Sequence, residues 1–254
     1  MTIQNAFSLA GKTALITGGA SGLGYAMAQC MVAAGARVII AGRNGEAGAR
    51  AVGELGPNAA WSAFDIGDTE KTQSWVDDLL TRYGHIDILV NNAGNHCKKP
   101  IEEMTVGDFT AVLDVHVVGA FALTKALAPQ MKRLGNASVL FIASMTSFLG
   151  QPNVSGYAAA KSAYLGLIHG LATELSGAGI RVNGIAPGWI DTPMLRKAIE
   201  GDDERKNKIL GRTPMKKFGK PADIGWAATY LVSEAAAFVN GHVLVVDGGA
   251  LIGF

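Results

Sequence analysis

The run Lys12-Thr-Ala-Leu-Ile-Thr17-Gly18-Gly-Ala-Ser21-Gly22-Leu23-Gly24-Tyr25 decides the architecture. Its first half is short, apolar and partly β-branched, which reads as a buried strand, and a glycine-rich turn follows directly. A helical run over 25–34 comes next, closed by Gly35, and 37–41 reads as a second strand. Strand, glycine turn, helix and strand within about thirty residues make a βαβ unit, which sets a phosphate at a helix amino terminus. Gly18, Gly22 and Gly24 are spaced differently from the G-x-G-x-x-G fingerprint but make the same provision. Their backbone turns tightly and approaches a pyrophosphate, whose charge the helix dipole stabilises.

The alternation continues outward from this unit. Helical periodicity covers 47–55, 69–83, 105–133, 158–175 and 221–233, and extended apolar runs cover 59–65, 86–91, 138–144, 181–186 and 243–247. Near-continuous apolar strands alternating with helices indicate an α/β chain whose parallel sheet is covered on both faces. The one break is the polar stretch 192–220, which carries Lys197, Asp202, Asp203, Glu204, Arg205, Lys206 and Lys208. An insertion at the carboxyl end of a strand is where substrate loops occur in such sheets, and a solvated excursion reads the same way.

Composition narrows the function. Of 254 residues 49% are hydrophobic and 17% charged, a globular balance. A formal net charge of +1 gives no field for nucleic acid or an anionic membrane and leaves small ligands open. Cys30 and Cys97 form no CxxC or Cys/His set, so neither zinc nor any other metal is expected. Residues 1–12 lack a basic segment followed by an apolar core, and no unbroken apolar run reaches spanning length. The expectation is a soluble, cytoplasmic protein with reduced thiols.

Two stretches carry chemistry. In Ser155-Gly156-Tyr157-Ala-Ala-Ala-Lys161 the phenol and the ammonium are four apart and share a helix face, so the cation is expected to lower the phenol pKa toward neutrality. The spacing alone also fits a tyrosine and a lysine on a helix edge. At the end of the second strand, where an NAD site carries an acid for the ribose hydroxyl, stands Gly42, followed by Arg43. A guanidinium fork suits a 2′-phosphate, which favours NADP and leaves NAD possible.

These residues, with Asp65-Ile66, Asn91-Asn92-Ala93-Gly94, Ser144 and Pro187-Gly188, resemble in order and spacing the short-chain dehydrogenases/reductases, over nearly the whole chain. The resemblance implies a single Rossmann-like domain over 1–254, a three-layer α/β/α sandwich on a seven-stranded parallel sheet, usually a homotetramer. It implies Tyr157 as general acid/base, Lys161 as the residue that lowers its pKa and holds the nicotinamide ribose, and Ser144 as the donor to the substrate oxygen. Gly18, Ser21, Gly22, Leu23, Gly24, Asp65, Ile66, Asn91, Ala93, Gly94, Pro187, Gly188, Ile190 and Thr192 would line the cofactor. His116 stands where most members have an asparagine of the proton relay, and its imidazole either joins the relay or is a packed helix residue. The loop Asn95-His96-Cys97-Lys98-Lys99-Pro100 looks like that of gluconate 5-dehydrogenases and related sugar-acid enzymes, with Lys98 or Lys99 as the cation for a substrate carboxylate. The implied reaction is hydride transfer between nicotinamide and a secondary alcohol or ketone. A 3-oxoacyl-acyl-carrier-protein reductase shares every motif, and a catalytically silent dinucleotide-binding regulator is the reading from another class.

Overall fold

The computed structural model describes residues 2–253. Its seven strands are β1 (Thr13–Thr17), β2 (Arg37–Gly42), β3 (Ala59–Ala63), β4 (Ile88–Asn91), β5 (Ala137–Ile142), β6 (Ile180–Pro187) and β7 (Val243–Val246). They form one sheet in the order β3-β2-β1-β4-β5-β6-β7, and every neighbouring pair is parallel. The helices are α1 (Ile3–Phe7), α2 (Gly22–Ala33), α3 (Gly45–Leu55), α4 (Thr72–Tyr83), α5 (Val106–Leu113), α6 (Ala120–Leu134), α7 (Ser155–Leu175), α8 (Pro193–Ile199), α9 (Asp203–Arg212) and α10 (Pro221–Val232).

Alternation along each strand explains why the strands read as unbroken apolar runs. Leu15, Ile39, Leu89 and Phe141 point into one core with Leu123, Leu127 and Tyr164, while Ile16, Ile40, Val90 and Ile142 point into the other with Met27 and Ile224. A strand buried on both faces has no polar positions to show. The strand order reverses between β1 and β4, and in such sheets the crevice beyond the carboxyl ends of the strands at that point takes the ligand. Thr17, the Gly18 turn and Asn91 stand there.

Three local differences from the sequence expectation bear on that crevice. Helix α2 starts at Gly22 rather than Tyr25, so its first turn belongs to the glycine run. The helix expected over 105–133 is continuous from Val106 to Leu134, but Asp114–Gly119 is a π-helical turn, a form that recurs at functional sites. By length and composition this helix could cross a membrane, yet Asp114, His116 and Lys125 interrupt it, and its buried face, with Leu123 and Leu127, packs in the sheet core. The polar stretch 192–220 is a helical insertion: α8 and α9 bury Leu195 and Ile209, and Ile190 bridges Gly219 to close its base.

Candidate active site

Two turns meet at the switch point and are bonded to each other. Thr17 Oγ1 accepts from the main-chain N–H of Asn92 and of Ala93, both at 3.0 Å, and donates to the Val90 carbonyl. Asn92 Nδ2 donates to the Thr17 and Gly18 carbonyls at 2.8 and 3.2 Å. Thr17 and Asn92 therefore build the crevice floor, a role that no local sequence pattern announces. Gly24 packs so closely here that a Cβ would stand 2.3 Å from the Gly18 carbonyl oxygen and 2.6 Å from Asn92 Nδ2. Gly18 takes a left-handed φ of 64°, open to glycine at no steric cost.

This turn fits the pyrophosphate of a dinucleotide. Ser21 precedes α2 without a side-chain hydrogen bond to the helix, so the first-turn N–H groups have no capping side chain, and a Cβ on Gly22 would meet open space. Unfilled amides at a helix amino terminus are an anion site. Ser21, Gly22 and Leu23 lie in this turn. At the end of β2 the Arg43 guanidinium is 75% exposed and stands 3.7 Å from the Asp65 carboxylate, a loose pairing that leaves its fork available. Asp65 also accepts from Gly67 N–H, and Ile66 is buried against Gly119, where a Cβ would lie 2.4 Å from its carbonyl oxygen.

The catalytic candidates converge beyond β5. Helix α7 begins at Ser155, so Tyr157 and Lys161 both belong to it and sit one turn apart. Lys161 Nζ lies 5.5 Å from the Tyr157 ring centroid and donates to the Ile142 carbonyl at 2.6 Å. Ser144 follows Ile142 by two residues, its hydroxyl accepting from Thr146 N–H. Ser147 Oγ donates to the Lys161 carbonyl, and Ser162 Oγ donates to the Ser147 carbonyl, which bolts the Ser144 turn to α7. Burial dominates the electrostatics here. It pushes the Tyr157 phenol up, with the neighbouring Ser144 hydroxyl pulling it partly back, and it lowers Lys161 to about 7. In the protein alone desolvation therefore sets the direction, opposite to the lowering expected from the ammonium.

His116 lies in the π turn, 2% exposed, with its ring edge toward Tyr157 at 5.5 Å. Its Nε2 donates to the Asn95 carbonyl at 2.9 Å, so that nitrogen carries the proton, while Nδ1 is buried without a partner among the described residues. Burial and the nearby Lys161 lower its pKa to about 3, leaving a neutral ring at physiological pH. The loop that follows separates the two lysines. Lys99 is bonded to Asp108 at 2.8 Å, and Asp108 also closes the capping box of α5 with Thr105, so this ammonium is committed to the fold. Lys98 is exposed and pairs with no carboxylate among the described residues. His96, which sequence reasoning passed over as one residue of a loop, lies over Tyr157 with ring centroids 4.9 Å apart.

The remaining cofactor candidates divide. Gly188 packs on Asp247, where a Cβ would be 2.5 Å from Cβ of that residue, and the Pro187–Gly188 turn closes the end of β6 beside β7. Ala93 and Gly94 follow the crevice floor, and buried Ile190 sits at the base of the insertion. Asn91, at the end of β4, is buried, and its side chain donates to the Thr124 hydroxyl on α6. The Thr192 hydroxyl caps α8 by accepting from Leu195 N–H.

The chain is similar in sequence and fold to known proteins. Residues 18–250 match a family model described as enoyl-(acyl carrier protein) reductase. The chain is 38% identical over 249 residues to 2-dehydro-3-deoxy-D-gluconate 5-dehydrogenase of Formosa agariphila, a match covering 96% of this chain and 94% of that protein. It is 37% identical over 246 residues to 7alpha-hydroxysteroid dehydrogenase of Escherichia coli, covering 96% and 95%. The crystal structure of a gluconate 5-dehydrogenase from Burkholderia cenocepacia J2315 in complex with NADP and tartrate superposes with a TM-score of 0.93 at 34% identity, over 98% of each chain. With the glycine turn, the strand order and the Ser144–Tyr157–Lys161 cluster in place, these matches give one assignment: the chain belongs to the short-chain dehydrogenase/reductase family.

Proposed function

We propose that the chain is an NADP-preferring oxidoreductase that interconverts a secondary alcohol and a ketone on a sugar acid of the gluconate class. The observation that carries this reading is the cluster of Tyr157, Ser144 and Lys161 at the strand ends, with Lys98, which pairs with no carboxylate among the described residues, on the loop whose His96 packs on Tyr157. Ser144 would hold the substrate oxygen, and Tyr157 would give it a proton in the reducing direction or take one in the oxidising direction. Lys161, whose Nζ lies 5.5 Å from the centre of the Tyr157 ring, would stabilise the phenolate. A nicotinamide dinucleotide, held on the α2 amino terminus, would supply the hydride in the reducing direction and accept it in the oxidising one. Lys98 would meet the carboxylate end of the substrate, as the relatives named for gluconate derivatives suggest. A relative named for a steroid substrate is as similar to this chain as those named for gluconate derivatives, which supports reading the substrate from the loop residues and not from the family fold.

The test is a panel of aldonic acids, matched neutral polyols and 3-hydroxyacyl thioesters, each with NADP⁺ and NAD⁺. The highest kcat/KM is expected for an aldonic acid with NADP⁺. Thioesters as best substrates would replace this reading with an acyl-chain reductase, and cofactor binding without turnover would replace it with a regulator.

The same reading includes a homotetramer. Val106 (83% exposed), Val118 and Phe121 leave an apolar face on the α5–α6 helix, and Trp226 with Phe238 leaves another near α10. Unpaired apolar patches of this kind mark contact surfaces. Light scattering is expected to give four times the chain mass, and a monomer would reject it.

A further inference from the structure

Residues 96–98 form a short arch anchored at both ends. At its start, Asn95 Nδ2 donates to the Ala111 carbonyl of α5 at 2.9 Å, and the Asn95 carbonyl accepts from His116 Nε2. That carbonyl belongs to the peptide joining Asn95 to His96, so the His116 bond orients His96 directly. Contact with the preceding glycine is equally close, since a Cβ on Gly94 would lie 2.2 Å from His116 Cε1. At its end, Lys99 N–H donates to the Asn153 carbonyl at 3.0 Å, and the Lys99 ammonium is held by Asp108. Between the anchors, His96 lies on Tyr157 at 4.9 Å with the planes inclined by 48°, while its outer side is exposed.

We propose that His96 is a specificity-determining residue that hydrogen-bonds a substrate hydroxyl next to the reacting carbon, and that His116 is the positioning residue that holds it there. The substrate class rests on the preceding section. A carbon that exchanges a proton with Tyr157 through its oxygen lies beside the phenol, and an imidazole packed on that ring reaches the adjoining carbon. A vicinal hydroxyl both donates and accepts, and a neutral imidazole does the same at its two nitrogens. A site built to bond a hydroxyl discriminates strongly against an analogue lacking it, because its own polar group is then left unpaired. His116 acts on His96 through the Asn95–His96 peptide, from a π turn whose ring packs against Gly94.

The experiment compares kcat/KM for an aldonic acid and for the same acid lacking the hydroxyl next to the carbinol carbon. In the intact chain the hydroxylated acid is preferred. His96→Phe keeps a ring on Tyr157 but no hydrogen bond, and the preference is expected to fall at least tenfold, whereas His96→Gln keeps most of it. His116→Phe fills the pocket without donating, and is expected to raise KM for the hydroxylated acid more than it lowers kcat, with His116→Gln restoring KM. Hydrogen exchange at the Lys99 amide, which donates to the Asn153 carbonyl at the end of the arch, is expected to quicken at least tenfold in His116→Phe and not in His116→Gln. An unchanged preference in His96→Phe, or equal exchange in the two His116 variants, would overturn the inference. If the intact chain oxidises no sugar acid, the proposed substrate class fails, and the exchange measurement alone then decides the role of His116, sinking the inference if both variants match the intact chain.

Discussion

Lys161 Nζ donates to the Ile142 carbonyl at 2.6 Å, tying the helix that carries Tyr157 to the strand end after which Ser144 follows. The amine is buried and sets the distance between the two halves of the site. Its burial also lowers its pKa to about 7, against an ordinary 10.5. Between those values the unfolded chain holds a proton that the folded chain has lost, so stability rises with pH across this window, by up to about 1.4 kcal/mol per pH unit from this one group. Lys161→Met should therefore flatten the dependence of unfolding midpoint on pH between 7 and 9.5. A slope as steep in the variant as in the intact chain would show that the ammonium is not the source.

The adjacent lysines should behave differently. Lys98→Ala is expected to cut the preference for an aldonic acid over the matching polyol by about tenfold, the scale of one charge-assisted hydrogen bond. Lys99→Ala releases Asp108, which Lys99 holds down to about 2 together with Thr105, and so disturbs the start of α5. Its effect should fall on thermal stability and on both substrates alike. Equal loss of acid preference in both variants would mean that the loop rearranges around the substrate.

These two lysines also mark where sequence reading stops. The strands were legible because burial on both faces leaves no polar interruptions, and the glycine turn because Gly18 and Gly24 answer to backbone geometry that few residues satisfy. Lys98 and Lys99 look alike because their difference lies in Asp108, nine residues on and brought near only by the fold. The π turn left no trace because one extra residue per turn barely disturbs an apolar periodicity that runs from Val106 to Leu134. The start of α7 was set too late because Asn153, at a left-handed φ of 66°, turns the chain and Val154 precedes the helix in place of a capping side chain. The direction of the Tyr157 shift in the protein alone is not legible in the sequence, because proximity to Lys161 follows from spacing, whereas desolvation follows from everything packed around the pair.

Arg43 should decide the cofactor preference. It is exposed, and Gly42 before it offers no acid to a ribose hydroxyl. Arg43→Ala is expected to lower kcat/KM with NADP⁺ by tenfold or more and to change NAD⁺ kinetics far less, because only the 2′-phosphate needs the guanidinium. Installing an acid by Gly42→Asp should favour NAD⁺ less than its chemistry promises, since a Cβ at that position already stands 3.1 Å from the Trp61 ring. A preference for NAD⁺ in the intact chain that survives Arg43→Ala would reject the assignment.

Gly94 and His116 should be coupled energetically. A methyl group at Gly94 would lie 2.2 Å from His116 Cε1 and 2.8 Å from Nε2, inside any tolerable contact, and the ring has no room to retreat from a pocket that leaves it 2% exposed. Gly94→Ala alone should destabilise by about 1–3 kcal/mol, the usual cost of overpacking. His116→Ala alone should cost about 2–4 kcal/mol through the cavity it leaves and the Asn95 carbonyl it strands. In the double variant the new methyl occupies space the imidazole vacated, so the two effects should sum to less than their parts by about 1–2 kcal/mol. Urea unfolding of the four proteins at one concentration measures this term. Simple additivity would mean that the methyl group is accommodated by movement of the loop and not by the space that the ring leaves.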